Sequence, residues 1–182
     1  PGMTQEEIDA AGRSLRPYPA MAIQAGCKFM AGRIAPILAP DCTVWFLVTN
    51  FHLVTGCADK LLHALGVEPV TLLTWKKDRI GRGQVLRDMT EHCIVATRGK
   101  PVINILGENP PSTFLEAGRR ENSRKPDELY DLVERVSPAP RYAEIFSRGG
   151  RNEKWDCHGD QVGAFAPAVA RAAEAAPVAD TK

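Results

Sequence analysis

Two stretches of the chain carry side chains suited to more than packing. The first is Ala143-Glu144-Ile145-Phe146-Ser147-Arg148-Gly149-Gly150. A nucleoside ligand calls for such residues. Glu144 and Arg148 could hydrogen-bond ribose hydroxyls or the charged ends of an amino acid, and the glycines let backbone approach closely. Taken alone, the same string is also an ordinary turn with exposed charges, because one Gly-Gly after a strand is common. The second stretch is basic: Lys76, Lys77, Arg79, Arg82 and Arg87 stand against Asp78, and Arg119, Arg120 and Arg124 form a further cluster. Both suit contacts to phosphate, and both suit solvated loops equally well. A metal is not expected. His92 with Cys157-His158 offers ligand types, but tetrahedral sites show paired ligands at short spacing and no CxxC pair occurs.

The composition narrows the field. At 182 residues the chain is long enough to bury a core, with 44% hydrophobic and 25% charged residues. No apolar run approaches the roughly 20 residues of a membrane span. A net charge of +1 confines any nucleic-acid footprint to local patches. Five cysteines without CxxC spacing argue against a disulfide scaffold and for a reducing, cytoplasmic setting. P-loop and GxGxxG strings are missing, which weighs against a nucleotide-binding enzyme of those types.

The elements that must position these residues follow from periodicity. Met21 to Leu38 is loosely helical. Val44 to Val48 is a continuous apolar run, read as a strand buried on both faces. Val54, Cys57, Leu61, Leu62 and Leu65 fall at helical spacing, and Gly66 is a natural stop. Val70 to Trp75 is the next strand, so a right-handed crossover and a parallel pair are expected. His92 to Thr97 is a third strand and Val102 to Ile105 a fourth, with a loop from Gly107 to Arg124. Pro126 opens the clearest helix, with Asp127 and Glu128 in its first turn and Leu129, Leu132, Val133 and Val136 as its apolar stripe. Pro138 and Pro140 end it, and Tyr142 to Ser147 is a strand. Strands alternating with helices indicate an α/β fold. The expected organisation is a lead-in over 1–16, one domain over 17–165 and an Ala/Pro-rich tail over 166–182.

The longer string is far more specific. Asn122-Ser123-Arg124-Lys125-Pro126-Asp127-Glu128-Leu129-Tyr130 is followed by Val133-Glu134-Arg135-Val136-Ser137-Pro138. Glu144-Ile145-Phe146-Ser147-Arg148 comes next, then Trp155-Asp156-x-x-Gly159-Asp160-Gln161. Upstream stand Pro17-Tyr18-Pro19-Ala20-Met21, Phe46-Leu47-Val48-Thr49-Asn50-x-His52-Leu53, Trp75-Lys76-Lys77, Gly81-x-Gly83 and Glu91-His92-Cys93-Ile94-Val95-x-x-Arg98-Gly99. In this order they resemble the adenine-N6 methyltransferase family named for the seventy-kilodalton subunit of the mRNA adenosine methyltransferase, in its bacterial and phage form, over about residues 17–161.

The resemblance implies a Rossmann-like S-adenosylmethionine-dependent methyltransferase fold, with a mostly parallel sheet, flanking helices and the first strand missing. It implies S-adenosylmethionine as cofactor. Lys125 matches the lysine that meets the methyl donor's carboxylate, and a compact ammonium ahead of a helix start suits that anion. Glu144 and Arg148 match cofactor contacts after the strand, Asp160 and Gln161 the terminal polar pair, and Ser123 lies in the same loop as Lys125. Nucleic acid is the implied target, DNA ahead of RNA, with Arg79, Arg82, Arg87, Arg119 and Arg120 as phosphate contacts. A homo- or heterodimer is compatible with it.

The chain departs from the family's pattern in places. The family's catalytic Asp-Pro-Pro-Trp does not occur. There the carboxylate and a proline carbonyl accept the two hydrogens of the adenine amine, and the aromatic residue stacks on the base. In relatives the motif precedes the Tyr18 segment by a modest loop, a distance that runs out near Pro1. The expectation is a chain cut short at its start and inactive as it stands. Asn109-Pro110-Pro111-Ser112 looks like a substitute, but its fourth residue is not aromatic and it follows no clear strand. Asn122 stands where the family has histidine and Asp160 where it has asparagine. The competing expectation is a non-catalytic subunit that binds nucleic acid beside an active partner.

Overall fold

The structure, a computed structural model, describes residues 21–81, 85–104, 111–120, 124–149, 151–159 and Val162. The expected lead-in over 1–16 and tail over 166–182 lie outside them, as do Ser123, Asp160, Gln161 and Arg82.

Helix α1 (Ile23–Phe29) runs on into a π-helical turn (Met30–Ile34) and a 3-10 turn (Ala35–Ile37). Strand β1 (Cys42–Val48), short helix α2 (Asn50–Val54), helix α3 (Cys57–Leu65) and strand β2 (Glu68–Lys76) follow. Then come β3 (Thr90–Arg98), β4 (Phe114–Glu116), helix α4 (Asp127–Val136), β5 (Tyr142–Ile145) and β6 (Trp155–His158). The main sheet has the order β1-β3-β2-β4, and β5 and β6 form a separate two-stranded sheet.

The expected parallel pairing of β1 with β2 is corrected. Both run antiparallel to β3, which lies between them. The two therefore point the same way, as a strand-helix-strand unit requires, but they are not neighbours. The reason is the connection from β2 to β3. It carries no helix among the described residues, so the chain returns antiparallel. Only β2–β4 in this sheet and β5–β6 in the other are parallel, and the main sheet is mixed rather than mostly parallel.

Period-two alternation sorts the side chains onto two covered faces. Val44, Phe46, Val48, Leu72, Ile94 and Ala96 pack with Met30, Ile34, Ala58, Leu62 and Leu65 of the α1 and α3 side. Trp45, Leu47, Leu73, Cys93 and Leu115 pack with Leu129, Leu132 and Val136 of α4. The fully enclosed run lies in β3, where Cys93, Ile94, Val95 and Ala96 are all buried. The run expected to be buried on both faces, Val44 to Val48, is mostly half-buried because β1 is an edge strand among the described residues.

Local chemistry fixes the ends. Gly66 adopts φ 68° and stops α3 as expected. Arg98 then caps that helix end from β3, donating to the carbonyls of Leu65, Gly66 and Ala35. Pro69, which has no N–H to give, coincides with a register shift between Pro69 and Thr71, and Val70 is left exposed there.

Two further expectations change. Val102 to Asn104 is not a strand; Asn104 N–H instead donates to the Val136 carbonyl at 2.7 Å, tying this segment to the end of α4. The fourth strand is Phe114–Glu116, inside the stretch read as loop. Its three residues are too few for a visible period, and it is anchored by non-local bonds: Thr74 N–H to Thr113 O and Trp75 Nε1 to Ala117 O, at 2.8 and 2.9 Å.

Candidate functional site

The residues that converge do so at the head of α4. Pro126 is the N-cap residue, extended at φ −69°, and it is fully buried. The buried residues Leu129, Leu132 and Val136 press one side of α4 against the sheet. Its other side carries Asp127, Tyr130, Asp131 and Glu134 toward β5, β6 and the turns between them. Arg124, Lys125, Asp127, Tyr130, Glu144, Arg148, Gly149 and Arg151 line one cleft there. Three predicted cofactor residues, Lys125, Glu144 and Arg148, thus share a cleft. The remaining three, Ser123, Asp160 and Gln161, are not among the described residues.

Glu144 is held from both sides. Tyr130 donates its hydroxyl to Oε1 at 2.9 Å, and Ser147 Oγ lies 2.8 Å from Oε2. Ser147 is 1% exposed, and its hydroxyl also lies 2.7 Å from the Gly149 carbonyl, so its one proton serves either acceptor. The turn that delivers it is strained. Phe146 has φ 64°, which costs a bulky residue about 1–3 kcal/mol. Gly159 at the end of β6 fits against this turn: a Cβ there would lie 2.5 Å from the Ser147 carbonyl oxygen. Burial, and after it the negative Glu144, push the Tyr130 hydroxyl well above its ordinary range. The phenol therefore remains a donor at any working pH.

A second carboxylate organises the far wall. Glu134 Oε1 accepts from Trp155 Nε1 at 2.7 Å, Arg151 Nε at 2.9 Å and Asn152 Nδ2 at 3.5 Å. Burial works to push its pKa up, but the bonds from Trp155 and Arg151 outweigh that, and the carboxyl sits below its ordinary range. Glu134 is thus an internal acceptor and not a solvated helix charge. Arg151 also pairs with Asp131, donates to the Asp127 carbonyl at 3.3 Å and lies over the Tyr130 ring at 5.2 Å. Trp155 stacks on Tyr142 at 4.8 Å and meets Tyr130 edge-on at 5.1 Å.

Sequence reasoning missed several members of the cleft. Arg124, assigned to a surface patch, is only 9% exposed and lines the cleft. Asp127 reads as a helix-dipole residue, yet it also receives an ion pair from Arg120. Tyr130 and Arg151 carried one available signal: Tyr130 stands three residues after Asp127, one turn along the same helix face, and Arg151 directly follows the glycine pair. Lys125 reaches farther than its loop. Its charge is felt at the buried Cys93 thiol, which burial pushes up to about 12 and Lys125 pulls back in part.

The basic residues divide. Asp78 accepts the Arg119 N–H at 2.8 Å and Arg79 Nε at 3.3 Å, joining the loop after β2 to the one after β4. That backbone N–H, foremost, holds the Asp78 carboxyl below its ordinary range. Arg87 Nε donates to the Gly81 carbonyl at 2.8 Å. Lys76 and Lys77 are ion-paired with Glu116 and Glu91, each at 2.6 Å. Arg79 and Arg119 are therefore adjacent, while Arg120 turns away to brace α4. Ser112, from the Asn-Pro-Pro-Ser string, bonds within the start of β4 and lies outside the cleft.

The arrangement can do specific chemistry. Cations and a helix start favour a carboxylate, and a fixed carboxylate favours hydroxyl donors. The cleft floor is narrow, with room for roughly one water. As it stands the floor is carboxylate-sized, and Arg151 closes one wall through its bonds to Glu134 and Asp131. Among the described residues there is no group of three or more His, Cys, Asp or Glu side chains placed to hold a metal ion. None of the described helices is long and apolar enough to cross a membrane.

Comparison with known proteins places these features in a wider setting. Residues 27–161 match the MT-A70 family. A protein of Oryza sativa subsp. japonica named "Probable N(6)-adenosine-methyltransferase MT-A70-like" is 35% identical over 121 residues, 62% of this chain and 16% of its own. The Drosophila melanogaster N(6)-adenosine-methyltransferase MT-A70-like protein is 37% identical over 121 residues, 62% of this chain and 19% of its own. The Homo sapiens N(6)-adenosine-methyltransferase catalytic subunit METTL3 is 32% identical over 121 residues, 62% of this chain and 20% of its own. This chain thus spans a fifth or less of the length of these relatives. The crystal structure of the M1.HpyAVI–SAM complex superposes with a TM-score of 0.53 at 17% identity, over 68% of this chain and 64% of that one, which establishes a shared fold.

Proposed function

The chain belongs to the MT-A70 family, and from that membership we propose that it is the cofactor-binding part of an S-adenosylmethionine-dependent adenine-N6 methyltransferase acting on nucleic acid. The observation that carries this reading is the meeting of Lys125, Glu144 and Arg148 in one cleft inside the matched span. The donor set fits the cofactor. Lys125, ahead of α4, would take its carboxylate, and Glu144, already oriented, would accept from its ribose hydroxyls. Arg148 would add a second cationic contact, and Ser123, Asp160 and Gln161 complete the proposed set. Bound there, the cofactor's sulfonium supplies an electrophilic methyl group. The family's Asp-Pro-Pro-Trp is absent from these residues, so no catalytic residue is assigned and the chain is proposed to bind cofactor without turning over.

The target reading rests on Arg79, Arg82, Arg87 and Arg119 as phosphate contacts, with Arg120 as a brace for α4. Sequence resemblance to bacterial and phage members favours DNA, whereas the relatives' names specify adenosine, the ribonucleoside. Gel shifts with one adenine-containing sequence as DNA and as RNA separate the two. The human relative is named a catalytic subunit, which supports an assembly with further chains; a homo- or heterodimer is the form proposed here. A cytoplasmic setting is part of the same reading.

Calorimetry with S-adenosylmethionine on the chain and on Lys125→Ala tests the site. Loss of a charge-assisted contact should weaken binding roughly tenfold or more. Equal affinity removes Lys125 from the site. No binding to either protein would leave the non-catalytic, nucleic-acid-binding subunit as the better reading.

A further inference from the structure

We propose that Tyr130 is a positioning residue whose hydroxyl, together with that of Ser147, locks Glu144 in the one orientation that reads a vicinal diol. The inference rests on the cofactor reading above and deepens it, because it explains how the site would demand ribose.

A carboxylate has two oxygens and about four acceptor positions. Here Oε1 receives the Tyr130 hydroxyl at 2.9 Å, and Oε2 lies 2.8 Å from the Ser147 hydroxyl, whose one proton it shares with the Gly149 carbonyl. The plane of the group is thereby fixed, and the remaining lone pairs belong to the cleft that Glu144 lines. A glutamate on a free stem would have to give up rotamer freedom, about 1–2 kcal/mol, each time it met a diol. Held in advance, it meets the ligand without that cost.

The clamp is built and not incidental. The Tyr130 ring is wedged between the Trp155 edge at 5.1 Å and the Arg151 guanidinium at 5.2 Å. Arg151 and Trp155 are in turn fixed by Glu134 on the same helix, one turn beyond Tyr130. Ser147 is fixed by its backbone, whose N–H donates to His158 O at 2.9 Å, and by the close approach of Gly159. Neither donor side chain has space to wander. Removing the Tyr130 hydroxyl leaves these ring contacts in place and frees only one oxygen of Glu144.

The test is calorimetry with S-adenosylmethionine and its 2′-deoxyribose counterpart on the full chain, on Tyr130→Phe and on Ser147→Ala. Wild type should prefer the ribose form by about tenfold or more, the worth of a hydrogen bond to a charged group. In both variants that preference should collapse to about threefold or less, most of the loss falling on the ribose form. Ser147→Ala supplies an answer if Tyr130→Phe is poorly folded. Equal weakening toward both ligands, with the ribose preference intact, would show Tyr130 to be a packing residue and overturn the proposal. A wild type that binds both forms equally would overturn the diol contact itself while leaving cofactor binding standing. A wild type that binds neither would overturn the methyltransferase reading, and this inference with it.

Discussion

The sheet body and the head of α4 are built from opposite materials. On the α1 and α3 side of the sheet, the core is Met30, Ile34, Val48, Ala58, Leu62, Leu65, Val67, Ile94 and Ala96, all apolar. Across the α4 head, the contacts are Arg120–Asp127, Arg151–Glu134, Tyr130–Glu144, Ser147–Glu144 and Trp155–Glu134. The first region derives its stability from area removed from water, which tolerates small displacements. The second depends on directed bonds, which do not. Helix α4 belongs to both, with an apolar side on the sheet and a polar side on the cleft. The sheet therefore sets where the cleft is, and the polar network sets what it can hold.

Breaking the body should cost most. Leu62 is 2% exposed and sits at the centre of the α3 contact with the sheet. Leu62→Ala should lower stability by about 2–5 kcal/mol, read from denaturant midpoints at constant m-value. Cofactor affinity of the remaining folded protein should be unchanged, because the cleft-lining residues lie outside that cluster. A parallel loss of affinity would mean that the two regions are one cooperative unit.

Gly159→Ala probes the junction. Its Cβ would meet the Ser147 carbonyl oxygen at 2.5 Å and the Ser147 nitrogen at 3.0 Å, both backbone, so the turn must shift. A loss of about 1–3 kcal/mol in stability is expected. Unlike Leu62→Ala, it should also weaken cofactor binding, since the displaced Ser147 releases Glu144.

Legibility follows the same division. The body was readable because burial imposes a period. The Leu61, Leu62 and Leu65 spacing of α3 and the Leu129-to-Val136 stripe repeat as a helix demands, while Val44 to Val48 stood out as an unbroken apolar run. The β3 insertion was not readable, because strand order depends on which edges meet after the chain has turned, and no local pattern encodes it. Strand β4 was missed for lack of length, and β6 because the alternation of Trp155-Asp156-Cys157-His158 runs for only four residues. In the cleft, Glu144 and Arg148 were suggested by their side-chain types beside a glycine pair and made specific by a family resemblance, which alone supplied Lys125. Tyr130, Arg124 and Arg151 were not reached, because a hydroxyl or guanidinium shows its partner only once distant segments have come together.

Glu134 sharpens the comparison through pH. Its folded carboxyl lies below the ordinary value of 4.5, the bonds from Trp155 and Arg151 having overcome burial. A depressed acid contributes stability above its unfolded value and loses it as pH falls through the folded one. Glu134→Gln should therefore cost on the order of 1–2 kcal/mol at pH 7. The gap to wild type should close progressively as the pH drops below about 4.5, as seen in unfolding midpoints followed by tryptophan fluorescence. A gap that persists at low pH would assign the effect to packing rather than to charge. Leu62→Ala, which removes no titrating group, should show no such convergence.

The smallest effect on the fold belongs to the basic loops, which lie outside both regions. The Arg79 side chain is 74% exposed and pairs with Asp78, next to it in sequence, and exposed pairs are worth about 0–1 kcal/mol. Arg79→Ala and Arg119→Ala should thus each leave stability within about 0.5 kcal/mol, since Asp78 keeps its bond to the backbone N–H of residue 119 whatever the side chain. If the two guanidiniums meet phosphates, the double variant should reduce the salt slope of nucleic-acid binding by about 2, one unit for each guanidinium removed. Weakening should be equal across sequences, because phosphate contacts position without reading bases. An unchanged salt slope would make these loops solvated surface and move the search for the nucleic-acid face elsewhere. Cofactor affinity should hold throughout, since neither residue lines the cleft.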